Sequence, residues 1–382
     1  MKRVLVPYFN IGLGHFAFAR SVKKAFESLP EPWEVHLMDM GEELPGKMLT
    51  NMYVESWRTI LAAPKPVKSF LFGLNRLAPW ATDLGIARGN RKNATAAAAF
   101  LSQVKPDAIV ACHWGTAHVL NAGRMKAGIG VPLYYVYGEL AGIVPQIRSG
   151  ADNYFYMTSE AQRALIGIGV RQEQLVQIGL VLQPGLELPL PERGGARREL
   201  GLEADRFTVL YALGGEGIGN AFPYLDAYYS EARSSQMLVL TGKNREFQKS
   251  IQERYPQRAD RGSIVAAGYV PDIKTAYGAS DILAGKCGAS FAMEAIRYRR
   301  PLLVTALGAP NEAHNRDYLV EHGFGYYVPR PEQFVEETER LSRDEAAYQA
   351  AIAPEPTPIP HDGATDIAMW VSRHASGTTQ QP

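Results

Sequence analysis

The chain has 382 residues, 46% of them hydrophobic and 21% charged, with 40 Lys+Arg against 39 Asp+Glu and a formal net charge of +1. That length suits about two domains, each long enough to bury a core. The near-neutral balance argues against a globally basic nucleic-acid binder and against an acidic disordered tail.

In chain order, short runs rich in Val, Ile, Leu and Tyr read as buried strands: Val4–Pro7, Val35–Met38, Ala108–Ala111, Leu133–Tyr137 and Tyr154–Met157. After them come Thr208–Leu213, Met237–Thr241, Ile264–Ala266, Ile282–Ala284 and Leu302–Thr305. Apolar strands alternating with helical stretches predict parallel sheets with crossover helices, an α/β protein. Ten strands exceed one sheet of ordinary size, which again points to two domains. The break is expected near 182–206, where Gln183-Pro184-Gly185, Pro189, Pro191 and Gly194-Gly195 read as a linker, and a new sheet starts at Phe207. A last helix is expected at about Ala364–Arg373, with Ile367, Trp370 and Val371 on one side. Two cysteines, Cys112 and Cys287, support neither a disulfide framework nor a cysteine metal site. The N-terminus meets Pro7 and Asn10 too soon for a signal-peptide core, and no apolar run reaches the ~18–20 residues of a spanning helix. The expectation is a cytoplasmic protein without a transmembrane segment.

Segment 44–92 departs from this pattern. It carries Trp57, Phe70, Phe72 and Trp80, interrupted by Pro64, Pro66 and Pro79. Eight basic residues, among them Lys65, Lys68 and Arg76, stand against Glu55 and Asp83, leaving 32 basic against 37 acidic residues elsewhere. Aromatics interleaved with Lys and Arg suit a face lying on an anionic bilayer. Helices packed on a sheet with a solvated basic side are the other reading.

Three glycine-rich turns follow predicted strands, each offering backbone N–H groups at a helix start, where an anion is favoured. The first, Gly12-Leu-Gly14-His15-Phe-Ala17, fits the dinucleotide pattern with Asp39 as a ribose acceptor, or else its glycines only allow tight packing. His15 fits hydride transfer poorly and fits activation of a hydroxyl at neutral pH, unless it is a cap or core histidine. The second turn is Gly214-Gly215-Glu216-Gly217-Ile218-Gly219, which lacks the Gly-Lys-Ser/Thr ending of an ATPase loop. The third, Gly285-Lys286-Cys287-Gly288-Ala289-Ser290, opens a helix expected to run to about Arg299 before Pro301. Glu294, one turn inside it, is placed to accept a ribose diol or else to face solvent and offset the dipole. Asn311, Glu312, His314 and Asn315 offer hydroxyl-binding groups in a further loop. There is no D-x-D, no clustered metal-ligand set and no G-x-S-x-G, so a diphosphate would be neutralised by helix N-termini and cations.

These residues in this order resemble the GT-B glycosyltransferases of the monogalactosyldiacylglycerol synthase and processive diacylglycerol glucosyltransferase family. A more distant likeness is to the peptidoglycan enzyme that adds N-acetylglucosamine to a polyprenyl lipid. Gly12–His15 is similar to the family's glycine turn ending in histidine, Gly214–Gly219 to its second glycine loop, and Thr241-Gly-Lys-Asn-Arg245 to its Gly-Lys-Asn stretch. Gly268-Tyr-Val-Pro-Asp272 through Ala279-Ser-Asp281 resembles the run before the donor helix, Gly285–Ala295 that helix, and Asn311–Asn315 the family's Gln-Glu-Glu-Gly-Asn.

The resemblance implies two Rossmann-like domains facing each other across a cleft. An acceptor- and membrane-binding domain would span 1–183 plus a C-terminal helix at 363–382, and a donor-binding domain 184–362. It implies an inverting, metal-independent transfer of a hexose or hexosamine from a UDP-sugar to a membrane glycerolipid, without a cofactor. Transfer to a polyprenyl-linked acceptor, or a non-catalytic nucleotide-sugar-binding protein, are the alternatives. A Rossmann dehydrogenase using Gly12–Ala17 and Asp39 is a further rival. Tyr269 and Val270 would line the base pocket, Glu294 would bind ribose, and Gly215, Gly217, Ala289 and Ser290 would surround the diphosphate. Gly14, Glu216 and Gly288 complete the donor set, with Asn311 and Glu312 on the sugar. His15 would be the base, and Glu139, in Tyr137-Gly138-Glu139, would replace the family's aspartate. Trp57, Lys65, Lys68, Phe70, Phe72, Arg76 and Trp80 would meet the lipid and an anionic membrane at the inner face of the plasma membrane. Three departures stand out: Lys286-Cys287-Gly288 where Lys-Pro-Gly is common, Asn311 where Gln is common, and no histidine in the stretch Tyr137–Val144.

Overall fold

The computed structural model describes residues 1–10, 12–44, 59, 67, 93–142, 147–186, 189–212, 221–256, 262–270, 272–308, 312–352 and 359–375. The chain divides into two compact units, Met1–Pro184 with Ile359–Pro382, and Gly185–Pro358.

The first unit is built on a six-stranded parallel sheet. Its strands are β1 (Arg3–Tyr8), β2 (Glu34–Asp39), β3 (Ala108–Ala111), β4 (Leu133–Val136), β5 (Asn153–Tyr156) and β6 (Leu175–Gln177), in the order β2-β1-β3-β4-β5-β6. The second unit has β7 (Phe207–Ala212), β8 (Ser235–Leu240), β9 (Ser263–Ala267), β10 (Ile282–Lys286), β11 (Leu302–Ala306) and β12 (Gly325–Tyr327), in the order β12-β11-β10-β7-β8-β9. All pairings are parallel. Crossover helices cover both faces of such a sheet, so its inner strands read as unbroken apolar runs; Ala108–Ala111 and Ile282–Ala284 are wholly buried.

Each of the ten expected strands is present, within two residues at either end wherever its ends are described. The two that the sequence does not reveal, β6 and β12, are three-residue strands at sheet edges with only partial burial, so they carry no apolar run. The expected linker is corrected in part. Arg193–Glu199 is a helix despite Gly194 and Gly195, because the Glu192 carboxylate caps it by accepting the Gly194 and Gly195 N–H groups at 2.7 and 2.6 Å.

That helix is anchored from inside. Arg197 donates from Nε to the Ala279 carbonyl and from Nη1 to the Ala204 carbonyl, both at 2.9 Å, and from Nη2 to Asp281 Oδ2 at 2.5 Å. The same Asp281 oxygen accepts the Thr208 N–H at 2.6 Å, and its other oxygen pairs with Arg193 at 2.8 Å. One carboxylate thus joins the helix, the first residues of β7 and the turn before β10.

The last helix is Gly363–His374 and packs on the first unit. Leu180 N–H donates to the Pro360 carbonyl at 2.7 Å, and Gly179 N–H to Asp366 Oδ2 at 2.9 Å. Ile367 and Val371 are buried, and the Trp370 ring meets Tyr134 and Phe155 edge-on, each at 5.4 Å.

Candidate functional sites at the two sheet edges

In open parallel sheets ligands gather at the carboxyl ends of the strands, where the strand order reverses. In the first unit that reversal lies between β1 and β3. His15 sits there, on the helix Gly12–Glu27 that follows β1, with Gly14 in the same first turn. Its Nδ1 lies 3.1 Å from the Cys112 carbonyl oxygen, at the end of β3. A carbonyl can only accept, so Nδ1 carries the proton and Nε2 keeps its lone pair. Burial lowers the His15 pKa below its usual 6.5, against the opposing pull of that carbonyl, and keeps the ring neutral near pH 7. The ring is half-buried and packs edge-on against His113, with centroids 4.7 Å apart.

Glu139 follows β4 on the same edge, with β3 between it and His15 in strand order. It is half-buried; burial first and the Glu139 charge second push the Tyr135 and Tyr137 phenols up. Asp39, the ribose acceptor of the dinucleotide reading, instead caps the short helix Met40–Glu43 by accepting the Gly41 N–H at 3.0 Å.

In the second unit the reversal lies between β7 and β10. Gly285, the last residue but one of β10, has φ +146°, and a Cβ there would stand 2.3 Å from the Ala212 carbonyl of β7, so only glycine fits. The next residues turn into the helix Ala289–Tyr298, whose N-cap is Gly288 and which no side chain caps among the described residues. Its first N–H groups, at Ala289 and Ser290, are the donors that an anion would take up. Lys286 adds a half-exposed cation beside them.

Glu294 is 4% exposed, and one carboxylate oxygen accepts from the Tyr277 hydroxyl. Burial, followed by the Glu294 charge, pushes the Tyr277 phenol well up, so it remains a donor. The surface-facing alternative for Glu294 is therefore corrected: it points inward. Glu312 is also buried. Its Oε2 accepts the Gly308 N–H at 2.6 Å, and its Oε1 lies 3.5 Å from Lys286 Nζ. The Cys287 thiol donates to the Glu312 carbonyl at 3.1 Å.

Tyr269 is largely exposed and, with Gly242, Lys243, Arg245, Gln248 and Gly268, lines an open pocket of about 760 Å³ at the carboxyl ends of β8 and β9. Val270 is half-buried beside it. Gly215, Glu216, Gly217 and Asn311 lie outside the described residues, as do Trp57, Lys65, Lys68, Phe70, Phe72, Arg76 and Trp80. The sequence reading gave no role to Tyr277, His113 or Gln248. Only the spacing of Tyr277 before the Ala279-Ser-Asp281 run hinted at the first. Among the described residues no group of three His, Cys, Asp or Glu is placed to hold a metal, and no helix is long and apolar enough to cross a membrane.

No family model matches the chain. It is 28% identical over 358 residues to a probable monogalactosyldiacylglycerol synthase of Nicotiana tabacum, covering 87% of this chain and 63% of that one. It is 22% identical over 355 residues to a processive diacylglycerol β-glucosyltransferase of Bacillus mycoides, covering 90% and 86%. The chain thus spans less than two thirds of the plant relative's length. Among solved structures, Staphylococcus aureus MnaA with UDP superposes with a TM-score of 0.64 at 16% identity, over 100% of this chain and 99% of that one. Acinetobacter baumannii MurG gives 0.61 at 13% identity, over 98% and 100%. The chain is a homologue of the monogalactosyldiacylglycerol synthases and processive diacylglycerol β-glucosyltransferases, built on the GT-B fold.

Proposed function

We propose that the protein transfers a hexose or hexosamine from a UDP-sugar to a membrane glycerolipid, diacylglycerol or glycosyl-diacylglycerol, with inversion and without a metal or cofactor. The observation that carries this reading is the His15 tautomer: the Cys112 carbonyl holds the proton on Nδ1, which leaves Nε2 as a neutral base at the strand reversal. The names of the relatives supply the reaction class and the lipid. The UDP in a structural neighbour supports the choice of donor.

In this mechanism the acceptor hydroxyl gives its proton to His15 Nε2 as its oxygen bonds to the anomeric carbon and the glycosyl–phosphate bond breaks. Glu139 helps to hold the imidazolium that forms. Negative charge grows on the departing UDP, where the start of the helix Ala289–Tyr298 and the Lys286 ammonium stabilise it without reorganising. Glu294, oriented by Tyr277, binds the ribose, and the Tyr269 pocket takes the base. The segment with Trp57, Lys65, Lys68, Phe70, Phe72, Arg76 and Trp80 brings the protein to an anionic membrane as a peripheral enzyme.

The test is a panel of UDP-sugars offered with diacylglycerol vesicles, products being read by mass. A glycosylated diacylglycerol supports the reading. No product, with a UDP-sugar raising the melting temperature, would make the chain a nucleotide-sugar-binding protein; stabilisation by NAD(H) instead would make it a dehydrogenase. Vesicle co-sedimentation that ignores both anionic lipid content and salt would remove the membrane role.

A further inference from the structure

We propose that His113 is a positioning residue for His15, its ring forming the wall that fixes the His15 imidazole in place. The inference rests on the reading of His15 as the base.

His113 lies between β3 and the helix Trp114–Ala127 and is 6% exposed. It is the N-cap of that helix, its Nδ1 accepting the Gly115 N–H at 3.0 Å. Accepting at Nδ1 places its own proton on Nε2, so both the tautomer and the ring orientation are set. The ring is held by Trp114, stacked at 5.4 Å, and by Phe9, edge-on at 5.3 Å, and it meets His15 at 4.7 Å and 88°. Two consecutive residues therefore restrain one imidazole: the Cys112 carbonyl takes its N–H, and the His113 ring blocks its rotation.

Capping alone does not call for histidine. Asn, Asp, Ser and Thr satisfy the same N–H with a smaller side chain. What histidine adds at this position is a ring, and that ring is spent on His15.

The charges around the pair fit this role. Protonating His113 would cost the helix its cap and bury a charge. Burial, then the His15 imidazole and then that of His118, keep its pKa well below the usual value. The Cys112 thiol is buried and pushed up to about 12, so it stays neutral. Glu139, after β4, and Asp39, at the end of β2, are anionic groups on this edge. His113 therefore remains neutral while His15 takes up and returns a proton.

The test compares His113→Asn, which keeps a cap and loses the ring, with His113→Phe, which keeps a ring and loses the cap. Long-range ¹H–¹⁵N spectra of the full chain read the His15 tautomer and titration midpoint, and kcat/KM is followed against pH. In His113→Asn the His15 midpoint should rise by about one pH unit, towards that of a solvated ring. In the same variant kcat should fall about 10-fold at unchanged donor KM. His113→Phe should keep the His15 tautomer and midpoint while unfolding at lower denaturant. An unchanged His15 spectrum in folded His113→Asn overturns the inference, as does loss of the His15 tautomer in folded His113→Phe alone. If the spectra shift as expected but the wild type transfers no sugar, positioning stands and the base role of His15 falls.

Discussion

Replacing Asp281 by Ala should be among the most damaging single changes in the second unit, although no step of the proposed reaction involves it. The Asp281 and Arg197 side chains are 3% and 4% exposed. Without the carboxylate, the buried guanidinium keeps, among the described residues, the Ala279 and Ala204 carbonyls, and the buried Thr208 N–H loses its acceptor. Breaking one side of a buried pair costs about 3–5 kcal/mol, because an uncompensated charge is left behind. An orphaned amide costs about 1–3 kcal/mol, and the two losses overlap, so about 4 kcal/mol is expected in all. Arg193 pairs with the other oxygen but is 43% exposed. Its loss should cost at most about 1 kcal/mol, since solvent screens an exposed pair. The double change Asp281→Leu with Arg197→Met should cost less than Asp281→Ala alone, because no buried charge remains. A chain of two units need not unfold in one step, so native-state hydrogen exchange at the β7 and β10 amides is the better measure. A loss below about 1 kcal/mol in Asp281→Ala, or equal losses in Arg193→Ala and Asp281→Ala, would refute the reasoning.

His15→Ala should lower kcat about 10²–10⁴-fold, or roughly 3–5 kcal/mol of barrier, with donor binding intact; nearly full turnover in that variant ends its role as base. In the wild type, burial depresses the His15 pKa, so kcat/KM should rise with pH through a midpoint below 6.5 and be flat above it; an acid limb above 6.5 contradicts this assignment. The same depression at His15 and His113 means that the unfolded chain binds more protons in this range. Their contribution to stability is therefore complete above pH 6.5 and lost as pH falls towards the folded-state values, which urea midpoints across pH can follow. Tyr277→Phe strips a hydrogen bond from the buried Glu294 carboxylate, a loss of about 1.5–3 kcal/mol, and should raise the donor KM about 10-fold with kcat little changed; a wild-type KM would detach Glu294 from the donor. Gly363→Ala would bring a methyl group to 2.1 Å from the Gly179 carbonyl oxygen and 2.9 Å from the Leu180 carbonyl carbon, both backbone, so the last helix must retreat at a cost of about 1–3 kcal/mol. Unchanged unfolding in that variant would show that the helix docks loosely.

What the sequence determined by itself was the fold class, ten of the twelve described strands and the position of His15. The reason is local: strands covered on both faces must be apolar throughout, and a glycine turn before a helix needs no distant contact to be recognised. The edge strands Leu175–Gln177 and Gly325–Tyr327 carry no such signal, and the Arg193–Glu199 helix runs against its own glycines until Glu192 and the Asp281 carboxylate hold it. Roles that depend on partners far along the chain were decided by tertiary structure alone. Glu294 points inward because Tyr277 stands opposite it, and Asp281 is a fastening for the second sheet. His15 has a defined tautomer because a carbonyl 97 positions away takes one of its two protonation sites. A side chain's type is written in the sequence, but which of its atoms remains available depends on what the fold sets against the others.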